Sequence, residues 1–106
     1  MKLYHGTNNN AYEVSQRPMP NKAINGLAFY VTDDINVAKQ YGRNVVCWEV
    51  EERDVNKNGL RKFAIDQSYV DGLSSYEDCV KGGFEYRLSK AECDEMVIES
   101  LSIEVL

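Results

Sequence analysis

The sequence predicts an α+β fold, and three observations predict it. Strand-like alternation is concentrated near the start and the end of the chain, helical spacing lies between, and no regular strand–helix–strand repeat connects them. At 106 residues the chain reads as one domain, 1–106, with no linker, repeat or low-complexity tract. Its 43% apolar content supplies a small core, although a domain of this size buries only about 65% of its unfolded surface.

A first strand begins over residues 2–5. Residues 17–26 hold both prolines and Gly26, and so read as a loop. Residues 27–31 form a short apolar run after Gly26, the length of a buried strand. Thr32 is the expected N-cap of a helix, with Asp33 and Asp34 in its first turn. Val37, Ala38 and Tyr41 share one face of that helix, and Gly42 ends it. Residues 45–50 alternate, with Val46, Trp48 and Val50 on one side. Residues 60–69 are expected to be helical, with Leu60, Phe63, Ala64 and Ile65 inward, and 74–81 form another helix capped by Ser74 and stopped by Gly82-Gly83. Met96 and Ile98 alternate against Glu95, Val97 and Glu99 as a strand. Leu101, Ile103 and Val105 give the last strand, with Ser102 and Glu104 outward.

Charge and cysteine usage exclude several functions. Seventeen acids against twelve Lys and Arg leave a net charge of −5. The whole excess falls in residues 92–106, where Glu92, Asp94, Glu95, Glu99 and Glu104 stand without a Lys or Arg. An acidic chain without a basic run is a poor non-specific binder of duplex phosphates. A single histidine and three scattered cysteines, Cys47, Cys79 and Cys93, argue against a metal site. The odd cysteine count and the lack of a signal-peptide pattern point to a reducing, cytoplasmic setting. Cys47 is expected to be buried, and Cys79 and Cys93 to be exposed thiols. The apolar runs fall short of a membrane span.

Four positions stand out for chemistry. His5 lies in Leu3-Tyr4-His5-Gly6-Thr7, where Gly6 removes a side chain beside the strand end and Thr7 adds a hydroxyl. Taken alone, this is an ordinary strand running into a turn. Tyr30 ends the strand over 27–31, and Tyr41 lies on the following helix; taken alone, they are two core tyrosines. Two tyrosines also sandwich a flat ring, and a cationic ring gains from cation–π attraction. Glu95 projects away from Met96 and Ile98. A single acid at a strand edge is usually solvated.

In this order the features resemble the ADP-ribosyltransferase family, in the His-Tyr-Glu branch of diphtheria toxin and the poly(ADP-ribose) polymerases. Tyr4-His5-Gly6-Thr7 is similar to the opening motif. Phe29-Tyr30-Val31-Thr32-Asp33 through Ala38 and Tyr41 is similar to the middle motif. Asp94-Glu95-Met96-Val97-Ile98 looks like the third motif, a Glu beginning an apolar strand. The resemblance implies a split sandwich of two small sheets, with NAD bound in the cleft between them as a consumed substrate and with no metal. It implies that His5 bonds a ribose hydroxyl, that the backbone of Gly6 and the hydroxyl of Thr7 hold the carboxamide, and that Tyr30 and Tyr41 pack about the nicotinamide. His5 and Tyr30 would then join Glu95 as catalytic residues, with Glu95 on the ribose 2′-hydroxyl.

The chemistry suits these roles. Cleavage of the nicotinamide–ribose bond passes through an oxocarbenium-like state, which a fixed carboxylate stabilises. The departing nicotinamide is neutral and needs no strong acid. Departures narrow the reading. Cys93 stands two residues before Glu95 and there is no Ser-Thr-Ser, so the arginine-modifying branch fits less well. Ala38 replaces the serine with which the polymerases contact nicotinamide. Residues 87–94 would form the target-recognition loop. The function implied is mono-ADP-ribosyl transfer to a macromolecular acceptor, a host or rival-cell protein before a nucleic acid. A small bacterial toxin or effector, or a phage inhibitor of a defence complex of the anti-CRISPR kind, suits the format. The alternatives are a catalytically silent module blocking a basic partner surface, and an NAD glycohydrolase.

Overall fold

The computed structural model describes residues 1–23, 26–53, 62–64 and 84–106. Chain order runs β1 (Lys2–Thr7), α1 (Ala11–Gln16), β2 (Asn21–Ala23), β3 (Gly26–Val31), α2 (Ile35–Ala38), β4 (Asn44–Glu49), β5 (Lys62–Ala64), β6 (Phe84–Leu88), α3 (Lys90–Glu99) and β7 (Ser102–Val105). The strands form two small antiparallel sheets, ordered β1-β4-β7 and β2-β3-β6-β5. With few and short helices, the architecture is α+β.

Strand β4 is central to the first sheet. Val45, Val46, Cys47 and Trp48 are all buried, because both faces of a central strand can be covered. Val46, Trp48 and Val50 join Leu3, Phe29, Val31, Leu88, Cys93 and Met96 in one core. Helix α1 packs across β4 and β7. The buried Trp48 indole N–H donates to the Ser15 carbonyl of that helix at 3.3 Å, so it does not go unpaired.

Among the described residues, the backbones of the two sheets are bridged at one place. Tyr4 and Thr32 exchange backbone hydrogen bonds of 2.7 and 2.9 Å, an isolated antiparallel bridge between β1 and the end of β3. From there the strands part. β1 follows β4 along its whole length, while β3 bonds to β2 over 26–28 and to β6 over 29–31. The candidate site lies at this fork.

Several expected elements differ. Residues 95–99 belong to helix α3, not to a strand. Ser89 and Glu92 form a capping box, with Glu92 N–H to Ser89 Oγ at 3.2 Å and Ser89 N–H to Glu92 Oε1 at 2.8 Å. Cys93 and Met96 are the buried residues of the helix, a spacing of one helical turn. Ile98, assigned inward by alternation, is 81% exposed. Residues 87–94 are therefore no loop: Arg87 and Leu88 end β6, and the rest caps and opens α3. Lys90 and Asp94 pair at 2.7 Å across one turn.

The N-cap of α2 is Asp34, whose carboxylate accepts from Asn36 N–H at 2.9 Å. Thr32 instead accepts from Asp34 N–H at 3.2 Å. Strand β2 occupies part of the expected loop over 17–26. Residues 62–64 are strand where a helix was expected, held by pairing with β6. The remainder of the helix expected over 60–69, and all of that over 74–81, lie outside the described residues. Leu101 precedes β7 and is exposed, as is Val105, so Ile103 is the residue of that strand that packs on the core. Among the described residues, no helix is long and apolar enough to cross a membrane.

Candidate functional site

His5 sits in the fork. An antiparallel ladder carried two residues beyond Tyr4–Thr32 would set Gly6 opposite Tyr30. Instead the His5 ring takes the Tyr30 carbonyl, with Nδ1 at 2.6 Å. A carbonyl only accepts, so Nδ1 carries the proton and Nε2 of the neutral ring is the acceptor. Phe29 stacks on the ring at 4.1 Å between centroids, tilted by 22°. Burial lowers the imidazole pKa from 6.5, with the Tyr30 carbonyl opposing, which favours a neutral ring at neutral pH.

Around this fork lies a cleft of about 790 Å³, within the span of small-molecule sites, roughly 300–1,000 Å³. His5, Gly6, Thr7, Tyr30, Tyr41 and Glu85 all line it. The structure thus brings together the five residues of the first two motifs to which the resemblance assigns contacts with NAD: His5, Gly6, Thr7, Tyr30 and Tyr41.

Gly6 has a packing reason to be glycine. A Cβ there would land on the Ala38 carbonyl and come within 3.2 Å of Tyr41 Cβ. The expected reason was room for a ligand, and the observed neighbour is the end of α2. This close approach sets Tyr41 against β1. Thr7 is buried, and its Oγ1 accepts from Asn9 N–H at 3.0 Å. Its hydroxyl proton is not used in that bond, so it can still donate.

Tyr30 and Tyr41 enter from different directions. Tyr30 projects from β3 and its hydroxyl donates to the Gly26 carbonyl at 2.6 Å. Tyr41 follows α2, its N–H bonded to the Ala38 carbonyl at 3.0 Å. Burial pushes the Tyr41 phenol up to about 12, and the Glu85 carboxylate and Tyr30 push in the same direction.

Two carboxylates line this cleft, the exposed Glu13 and the buried Glu85, and Glu95 is not among them. Glu95 lies on α3, exposed, and is absent from the cleft walls. Glu85 is only 4% exposed. It lies next to Phe84 at the start of β6, and that strand pairs with β3 so that Tyr30 stands opposite Arg87. The Arg87 guanidinium bonds Glu85 Oε1 through Nε at 3.1 Å and Nη2 at 3.0 Å.

The sequence contained a signal for Glu85. In Phe84-Glu85-Tyr86-Arg87-Leu88, Tyr86 and Leu88 alternate inward, and the opposite face carries an acid and a base two residues apart. Reading Gly82-Gly83 as a helix end, and 87–94 as a loop, split this strand and hid it.

The two described cysteines offer no nucleophile here. Cys47 and Cys93 are both buried. Cys93 was expected to be exposed, but α3 turns it into the core, where burial raises its thiol pKa to about 12. Burial also raises Cys47. Cys79 lies outside the described residues. No protein-family model, no curated protein and no solved structure matches this chain.

Proposed function

We propose that this chain is an NAD-dependent mono-ADP-ribosyltransferase, which transfers ADP-ribose to a macromolecular acceptor, a protein, with release of nicotinamide. One observation carries the reading: His5, Tyr30, Tyr41 and a buried Glu85 line a single cleft where two small sheets part. The resemblance of the first two motifs calls for a carboxylate at the start of a late strand, and Glu85 on β6 meets that description. The parting of the sheets beside β1 and β3 agrees with the split sandwich that the resemblance implies.

Each residue has a physical task. Neutral His5 offers Nε2 to a ribose hydroxyl, its ring held by Tyr30 and Phe29. The Gly6 backbone and the Thr7 hydroxyl face the nicotinamide carboxamide. Tyr41, with its phenol protonated far above neutral pH, stacks its uncharged ring on the cationic nicotinamide. As the C1′–N bond breaks, its electron pair leaves with nicotinamide and positive charge develops on the ribose. Glu85 stabilises that charge from a site withdrawn from water, where a fixed charge acts most strongly. The acceptor nucleophile then bonds to C1′ and loses its proton.

The test uses NAD labelled in its adenylate half, incubated with the purified protein and a bacterial lysate. A discrete labelled protein band supports the proposal. Nicotinamide release with no labelled macromolecule replaces it with NAD hydrolysis. An absence of NAD turnover overturns it in favour of a binding module.

A further inference from the structure

Arg87 has no part in the reaction as described above, yet it is tied to its central carboxylate. It follows Glu85 by two residues on β6, so the pleat sets both side chains on one face of the sheet. Both guanidinium contacts, at 3.0 and 3.1 Å, converge on Glu85 Oε1. The Glu85 side chain is 5% exposed and that of Arg87 is 26% exposed, so the arginine is the more exposed member of the pair.

We propose that Arg87 is a positioning residue: it keeps the Glu85 carboxylate ionised and in one orientation toward the cleft. The inference rests on the ADP-ribosyl reading of the site. A carboxyl group withdrawn from water tends to keep its proton, and an adjacent guanidinium opposes this. Charge-assisted hydrogen bonds to an arginine fork also fix direction, because the donors are coplanar. A lysine would supply the charge without the fork. Glu85 influences Tyr41 through its charge, which places that charge within reach of the nicotinamide pocket.

A double-mutant cycle on NAD turnover tests this, with Arg87→Ala, Arg87→Lys, Glu85→Gln and Glu85→Gln/Arg87→Ala. Arg87→Ala is expected to lower kcat by roughly 10–100-fold, the range seen when partners that orient metal ligands are removed, with KM for NAD little changed. Arg87→Lys should recover part of kcat and keeps the test alive if the alanine variant fails to fold. In the Glu85→Gln background, removing Arg87 should cost almost nothing further. A drop of equal size in both backgrounds, or a rise in KM alone, overturns the positioning role. Full kcat in a folded Arg87→Ala also overturns it, while leaving the ADP-ribosyl reading intact. An absence of turnover in the parent protein overturns both.

Discussion

The His5 imidazole holds the Tyr30 carbonyl at 2.6 Å, where backbone pairing between β1 and β3 would otherwise have continued. A side chain thereby closes the inner end of the fork and orients itself in the same bond. The ring's other nitrogen is left to act as an acceptor.

The ring is therefore expected to resist protonation. Its pKa lies below 6.5 in the folded protein, so between pH 6.5 and that lower value the unfolded chain binds more protons, and stability falls as pH falls. Glu, Asp, Tyr and Lys side chains ordinarily titrate outside this window, and the chain has one histidine. Urea melts followed by circular dichroism at pH 7.5 and 5.5 should show the loss in the parent and a flatter response in His5→Asn. Equal responses in the two proteins would contradict the neutral ring.

Glu85 and Glu95 separate the two candidate carboxylates. Glu85→Gln should reduce NAD turnover by on the order of 10²–10³, the usual effect of deleting a preorganised electrostatic group. Glu95→Gln, on the exposed side of α3, should turn over NAD at the parent rate. The reverse order of effects would return the catalytic carboxylate to α3.

Gly6→Ala should destabilise the fold by roughly 1–3 kcal/mol, the range for overpacking. The new methyl meets the Ala38 backbone carbonyl, not a flexible side-chain end, so relief requires α2 to move and Tyr41 with it. A thermal melt at or above the parent midpoint would show that α2 yields freely.

Tyr41 should be a late-titrating phenol. With its pKa raised to about 12, the folded state keeps a proton that an unfolded tyrosine loses near pH 10. Stability is then fully present below pH 10 and declines as pH rises toward 12. Tyrosinate absorbance should show a late step that Tyr41→Phe removes; an unchanged alkaline titration would contradict it.

Ser89→Ala should cost about 1 kcal/mol through loss of the capping box, or about 4–8 °C in Tm for a domain near this size. An unchanged Tm would mean that packing of Cys93 and Met96 alone defines the start of α3.

Much of the first half of the fold was legible because it depends on local pattern. The apolar run over 27–31 became β3, the alternation over 45–50 became β4, and both lie in the core. The cleft residues of the first two motifs were legible as well, since a strand end and one helical turn fix them close together. The third position was not. Met96 and Ile98 fit a period of two, while Cys93 and Met96 fit a helical turn, and ten residues do not separate these readings by apolarity alone. The Ser89–Glu92 capping box decides it, and that signature was present in the sequence. Strand β6 depends on pairing with β3 and β5, distant in the chain, and on a part-buried ion pair between Glu85 and Arg87.

The three stacked and crossed rings of His5, Phe29 and Trp48 reach from the cleft wall into the core, with Phe29 edge-on to Trp48 at 5.8 Å. Trp48 is the only tryptophan of the chain and is fully buried. The molecule therefore carries its own optical probe, one ring removed from the imidazole. Occupation of the cleft, or a change in the charge of His5, can be followed through the emission of a single indole, without a label and without turnover.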